Sequence, residues 1–68
     1  MKQEFINKVI SEINNNWENN YEAMEKKGLI IVYFNGQEVA FIKDYKADSE
    51  TEGNEQEVEQ LQYYCDKF

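Results

Sequence analysis

The dipeptide Asn35-Gly36 constrains this chain more than any other feature. The run Leu29-Ile30-Ile31-Val32-Tyr33-Phe34 precedes it and Gln37-Glu38-Val39-Ala40-Phe41-Ile42 follows it. Both are rich in β-branched and aromatic residues. Asn-Gly accepts the two successive positive φ angles of a type I′ turn, whose twist matches that of the strands it joins. A two-residue loop also sets the register. Phe34 then faces Gln37, Val32 faces Val39 and Ile30 faces Phe41, and Tyr45 joins this face if the strand runs on. The opposite face carries Leu29, Ile31, Tyr33, Glu38, Ala40 and Ile42. Both faces are mostly apolar. A lone two-stranded hairpin is marginal in water, so other elements must cover it.

Helices are the expected cover. Phe5, Ile6, Val9, Ile10 and Ile13 recur at spacings of three and four, which is one stripe of a 3.6-residue period. Trp17, Tyr21 and Met24 continue the stripe in phase, but Asn14-Asn15-Asn16 interrupts it with weak helix formers. Two readings compete: one kinked helix over about residues 2–27, or two helices broken near 14–16. Gly28 after Lys26 and Lys27 reads as a helix stop, with cations in the last turn. Residues 46–53 show no apolar period and read as an acidic loop. A last helix starts near Asn54, with Glu57 three residues on as a capping-box partner. Val58, Leu61, Cys65 and Phe68 form its apolar stripe, widened by Tyr64. The expected architecture is therefore a single α+β domain over residues 1–68. Its order is an N-terminal helix or helix pair, a two-stranded antiparallel hairpin, an acidic loop and a C-terminal helix.

Composition removes most catalytic chemistry. The chain has no His, Arg or Pro, and its seven basic residues are all Lys. The usual general base and neutral metal ligand are thus missing, as is the bidentate phosphate clamp. Cys65 is the one cysteine, so no intrachain disulfide forms. It has no His to activate it, and its place in the stripe makes it a core residue. Paired carboxylates do acid–base work only where burial raises a pKa, and so short a chain with its acids in an open run is not expected to build that pocket. The chain is expected not to be an enzyme and to need no cofactor. With no signal-peptide core and no apolar run longer than six residues, the expected location is the cytoplasm of a bacterial host. The abundance of Phe, Tyr, Ile, Asn and Lys over Gly, Ala, Arg and Pro matches AT-rich codons. It associates the chain with a low-GC bacterium, its phages or its mobile elements.

Charge is the strongest functional pointer. The chain holds 14 acids against 7 bases, a net charge of −7. Residues 1–27 carry −1 of this, residues 28–46 none and residues 47–68 carry −6. Asp48, Glu50, Glu52, Glu55, Glu57 and Glu59 lie within twelve residues with no base among them. Acids two apart on extended chain stand about 6.5 Å apart, and acids three or four apart on a helix about 5–6 Å. Either spacing is similar to that of phosphates along a nucleic-acid strand, which proteins neutralise with rows of Lys and Arg. A solvated loop and a helix start favoured by the dipole account for the same residues in ordinary terms. Tyr63 and Tyr64 lie beside the run. One is expected to top the core, and Tyr63 to serve as an interface anchor, since acids alone confer little affinity.

In size, charge and fold type the chain is similar to small acidic inhibitors of host nucleic-acid enzymes encoded by phages, many anti-CRISPR proteins among them. No family motif is matched. The acid spacing, with Tyr63 beside it, reads as a DNA mimic acting on a basic protein partner through Asp48, Glu50, Glu52, Glu55, Glu57, Glu59 and Tyr63. It implies no direct nucleic-acid or membrane contact. The alternative is an immunity protein or antitoxin that neutralises a basic toxin, or a structural or regulatory protein. Asp48, Glu50, Glu52, Gly53 and Glu59 also have the spacing of an EF-hand loop. Glu in place of Asp at the third and fifth loop positions crowds that cage, and the hairpin rather than a helix precedes it, so no specific metal site is expected. Finally, apolar residues on both faces of the hairpin and an unpaired edge point to a homodimer that joins two hairpins into one sheet.

Overall fold

The computed structural model describes residues 1–68. Six elements follow one another: α1 (Gln3–Asn16), β1 (Tyr21–Lys26), β2 (Leu29–Phe34), β3 (Gln37–Lys43), β4 (Lys46–Ser49) and α2 (Glu55–Lys67). The strands form one antiparallel meander in the order β1-β2-β3-β4. The fold is α+β, but the sheet has four strands rather than two.

Turn chemistry accounts for the two extra strands. Each connection is a two-residue turn with both residues at positive φ: Lys27-Gly28 (55° and 78°), Asn35-Gly36 (52° and 83°) and Asp44-Tyr45 (50° and 65°). These are three type I′ hairpins in succession. Gly28 satisfies a left-handed position, as expected, but in a hairpin and not after a helix. Hence neither a helix to residue 27 nor a second helix forms. The in-phase residues Tyr21 and Met24 fall on opposite faces of β1 instead. Residues 46–49, expected as loop, pair along β3 with Ile42↔Ala47 and Phe41↔Asp48. Tyr45 is the costly member of the set, since a bulky side chain at φ 65° is strained by about 1–3 kcal/mol. Three contacts hold it. Its ring packs on Phe5 at 4.9 Å, its hydroxyl accepts the Lys2 backbone N–H at 2.7 Å, and its carbonyl accepts a Gln62 Nε2–H at 3.4 Å.

The expected register survives only at the turn. Phe34 faces Gln37, but a bulge at Val39 shifts the rest, so that Val32 faces Ala40 and Ile30 faces Ile42. The bulge turns both Val39 and Ala40 inward. Ile42 thereby moves to the face of Ile30 and Val32, and Phe41 moves to the other. A run as apolar as Val39-Ala40-Phe41-Ile42 has no alternation to resist this, and burial of Val39, Ala40 and Ile42 together decides it.

Both helices cover the same face. Phe5, Ile6, Val9 and Ile13 of α1 and Leu61 and Tyr64 of α2 share one core with Ala23, Ile30, Val32, Val39, Ala40 and Ile42. Val9, Ile13, Ile30, Val32, Ile42 and Leu61 are fully buried, each stabilising the fold by about 1.5–3 kcal/mol. Aromatic rings close one end. Tyr21 packs on Phe34 at 4.8 Å and edge-on to Trp17 at 5.0 Å, and Trp17 Nε1–H donates to the Tyr64 hydroxyl at 2.8 Å. The last contact ties the end of α1 to α2. No helix is long and apolar enough to cross a membrane.

Each helix also reaches one edge of the sheet with a side-chain amide. Asn14 Oδ1 accepts the Ala23 N–H of β1 at 2.8 Å, and its Nδ2 donates to the Ala23 carbonyl at 3.2 Å. On the opposite edge, Gln62 Oε1 accepts the Ala47 N–H of β4 at 2.9 Å. The hairpin of β2 and β3 is flanked on both sides within one chain. The edge-to-edge joining of two hairpins expected from sequence therefore has no free edge on β2 or β3, because β1 and β4 fill those places.

Candidate functional site

The acidic run is spread over three kinds of structure. Asp48 is exposed on β4, on the sheet face away from the helices. Glu50 and Glu52 are exposed in the connection to α2, where the Glu50 N–H donates to the Val39 carbonyl at 2.9 Å. Glu55, Glu57 and Glu59 lie on α2. Glu55 and Glu57 occupy its first turn, where the unpaired N–H groups favour negative charge. Asn54 precedes the helix but its side chain makes no cap. Its amide donates instead to Thr51, and the capping box expected with Glu57 does not form.

Glu57 has another partner. The Tyr21 hydroxyl donates to Glu57 Oε2 at 2.6 Å, across from β1 to α2. Burial first and the neighbouring Glu57 carboxylate second push the Tyr21 hydroxyl up from 10.0 to about 12. Glu57 thus serves the packing of α2 on the sheet and is half-buried.

The remaining acids of α2 share its outer face. Glu55, Glu59, Tyr63 and Asp66 stand at spacings of four, four and three, and all are exposed. Tyr63 is 52% exposed, the largest value among the big apolar side chains, whereas Tyr64 is 5% exposed and caps the core. Lys67 Nζ lies over the Tyr63 ring at 5.4 Å and is the base nearest the stripe. Asp66 belongs to this surface although the acidic run in the sequence stops at Glu59. Its helical spacing from Glu59 and Tyr63 is the signal that reveals it.

Few of these charges are neutralised within the chain. The one ion pair in the protein joins Lys8 to Glu4 at 3.7 Å on exposed α1. No acidic residue is buried. No three carboxylates or thiols converge on a point that could hold a metal ion. Cys65 is half-buried, and burial chiefly, with Asp66 beside it, raises its thiol from 9.0 to about 11. A thiol so held is a poor nucleophile. The largest apolar-lined hollows are shallow and lie on the sheet face without helices. One of about 400 Å³ is bordered by Asn20, Glu22, Met24 and Tyr33, and one of about 500 Å³ by Phe41, Lys43, Lys46 and Asp48.

In comparisons with known proteins, no family model, no curated protein and no solved structure matches the chain.

Proposed function

We propose that this chain is a small acidic binding protein that inhibits a nucleic-acid-binding enzyme. It acts as a DNA mimic of the anti-CRISPR type, as phages and mobile elements encode. The observation that carries the reading is the unpaired acidic stripe of α2. Glu55, Glu59 and Asp66 repeat along an exposed helix face with Tyr63 among them, and none has a Lys within ion-pair distance. Glu55 and Glu59 stand about 5–6 Å apart and Asp66 about 10.5 Å further along the same face, an acidic row that suits a groove lined with Lys and Arg. Tyr63 adds an amphipathic anchor at low entropic cost. Glu50 and Glu52 extend the negative surface past the helix N-terminus, and Asp48 extends it onto β4. Glu57 contributes charge but not a free contact, because Tyr21 holds it.

Capture of host proteins on the immobilised chain tests the reading, with duplex DNA as competitor. The variant Glu50→Gln, Glu52→Gln, Glu55→Gln, Glu59→Gln runs in parallel and leaves the Glu57 contact intact. The expected result is retention of a nuclease or other nucleic-acid enzyme, its release by duplex DNA, and its loss in the variant. Association should slow by about tenfold or more as acids are removed or as salt shortens the screening length from about 10 Å at 0.1 M to about 3 Å at 1 M. A captured partner that DNA does not displace, such as a toxin encoded beside the gene, overturns the mimicry. Undiminished capture by the variant does the same.

A further inference from the structure

The sheet face away from the helices has no cover within the chain, and its side chains are sorted into three rows. Register places Glu22, Tyr33 and Glu38 across one end of β1, β2 and β3. Met24, Ile31, Phe41 and Asp48 cross the middle. Lys26 pairs with Leu29, and Lys43 with Lys46, at the other end. The face is acidic at one end, apolar across the middle and basic at the other. Met24 is 43% exposed, while Ile31 is buried by its neighbours on this face and lies outside the helix-covered core.

We propose that a second copy of this chain packs on this face, in a symmetric dimer whose two-fold axis runs along the middle row. Rotation about that axis reverses strand direction and lays the acidic row of one copy on the basic row of the other. Glu22 and Lys26 lie two residues to either side of Met24, so Glu22 meets the second copy's Lys26, and the reverse. The bulge at Val39 shortens the path from Glu38 to Phe41 by one rung, so that Glu38 and Lys43 are likewise two rungs from Phe41. Glu38 then meets Lys43 of the second copy. Met24, Ile31 and Phe41 face their own counterparts, as residues on the axis of an isologous interface must. Asp48, the fourth residue of that row, also faces its own counterpart at the rim of the β4 edge, a like-charge contact that weakens the dimer. The other two-fold, along the strands, would stack acid on acid and Lys on Lys, so charge selects the antiparallel arrangement. Face-to-face packing of twisted sheets is an ordinary geometry, with strands about 30° from alignment. It leaves the sheet edges and the α2 stripe untouched, so it stands or falls apart from the inhibitor reading.

The size of the face sets the affinity. Four strands about 4.8 Å apart and three rows about 6.6 Å apart, with side-chain margins, span about 20 by 20 Å. That is about 400 Å² per copy and about 800 Å² in all, below the roughly 1,200 Å² of stable complexes. The dimer is therefore weak, and its ion pairs make it weaker at high salt.

Sedimentation equilibrium from 10 μM to 1 mM protein, at 50 mM and 0.5 M salt, tests it. The expected result is reversible growth from 8.2 kDa to twice that mass, at least tenfold weaker in Met24→Asp. Two charge-swapped chains then decide the geometry. Lys26→Glu with Lys43→Glu makes both ends acidic, and Glu22→Lys with Glu38→Lys makes both ends basic. Each alone should stay monomeric, and the mixture should dimerise at least as tightly as the native chain. Each double variant shifts the net charge of −7 by four, to about −11 or about −3, so both remain net negative and bulk charge cannot cause the rescue. All substituted positions but Met24 are exposed charges, and circular dichroism verifies that each variant is folded. A native chain that stays at 8.2 kDa to 1 mM overturns the proposal. Failure of the mixture to associate overturns it too.

Discussion

Replacement of Asn14 by Ala is the sharpest test of how the sheet edge is closed. Asn14 makes two hydrogen bonds to one residue of β1, accepting the Ala23 N–H at 2.8 Å and donating to its carbonyl at 3.2 Å. Truncation leaves both backbone groups of a 3% exposed residue without partners. Each lost bond costs about 0.5–1.5 kcal/mol, and a partly buried orphan raises this further. The better helix propensity of Ala returns about 0.5 kcal/mol. The net loss is about 2 kcal/mol. An unfolding entropy near 2.1 cal/mol/K per residue gives about 0.14 kcal/mol/K for a chain of this length, so Tm falls by about 14 °C. Asn15→Ala is the matched control, because Asn15 bonds only Ser11 on exposed α1. It should leave Tm within about 3 °C or raise it. Thermal melts followed by circular dichroism measure both. Amide exchange should also quicken in β1 before the rest of the sheet in the Asn14 variant. Equal melting shifts for the two variants, or β1 protection unchanged in Asn14→Ala, would refute the role assigned to Asn14.

Two further outcomes concern titration. The Tyr21 hydroxyl is raised from 10.0 to about 12 by burial and by Glu57, so the folded state favours its neutral form. This contribution is complete below pH 10 and is lost as pH rises through about 12. Denaturant midpoints should fall over that window and fall less in Tyr21→Phe, and parallel curves would show that Tyr21 plays no part. The Cys65 thiol, raised from 9.0 to about 11, carries about one hundredth of the ordinary thiolate at pH 8. A disulfide reagent should therefore modify it about a hundredfold more slowly than an unfolded control, with denaturant abolishing the difference. Modification at the unfolded rate in native buffer would contradict the burial.

Much of the architecture follows from local sequence. Asn35-Gly36 makes its hairpin because both residues tolerate positive φ. The stripe of Phe5, Ile6, Val9 and Ile13 makes α1, and Leu61 and Tyr64 anchor α2, because the helical period alone brings them to one side. The acidic bias of the last third is written in the chain outright. Tertiary structure decided the rest, and in each case a local signal had two solutions. Gly28 at positive φ ends a helix or turns a hairpin equally well, and only the pairing of Tyr21–Lys26 with β2 chooses between them. Asp44-Tyr45 carries no hairpin signature. The turn exists because Phe5, Lys2 and Gln62, distant in sequence, hold Tyr45 in a conformation it would not adopt alone. The uniformly apolar stretch Val39–Ile42 could present either parity to the core, and the bulge that settles it is set by packing under the helices. The same holds for function. Sequence groups Glu57 with its acidic neighbours, but the fold turns it toward Tyr21 and sets Asp66 on the same helix face as Glu59 and Tyr63 instead. A charge count needs only composition, whereas a charged surface depends on which side of a helix faces water.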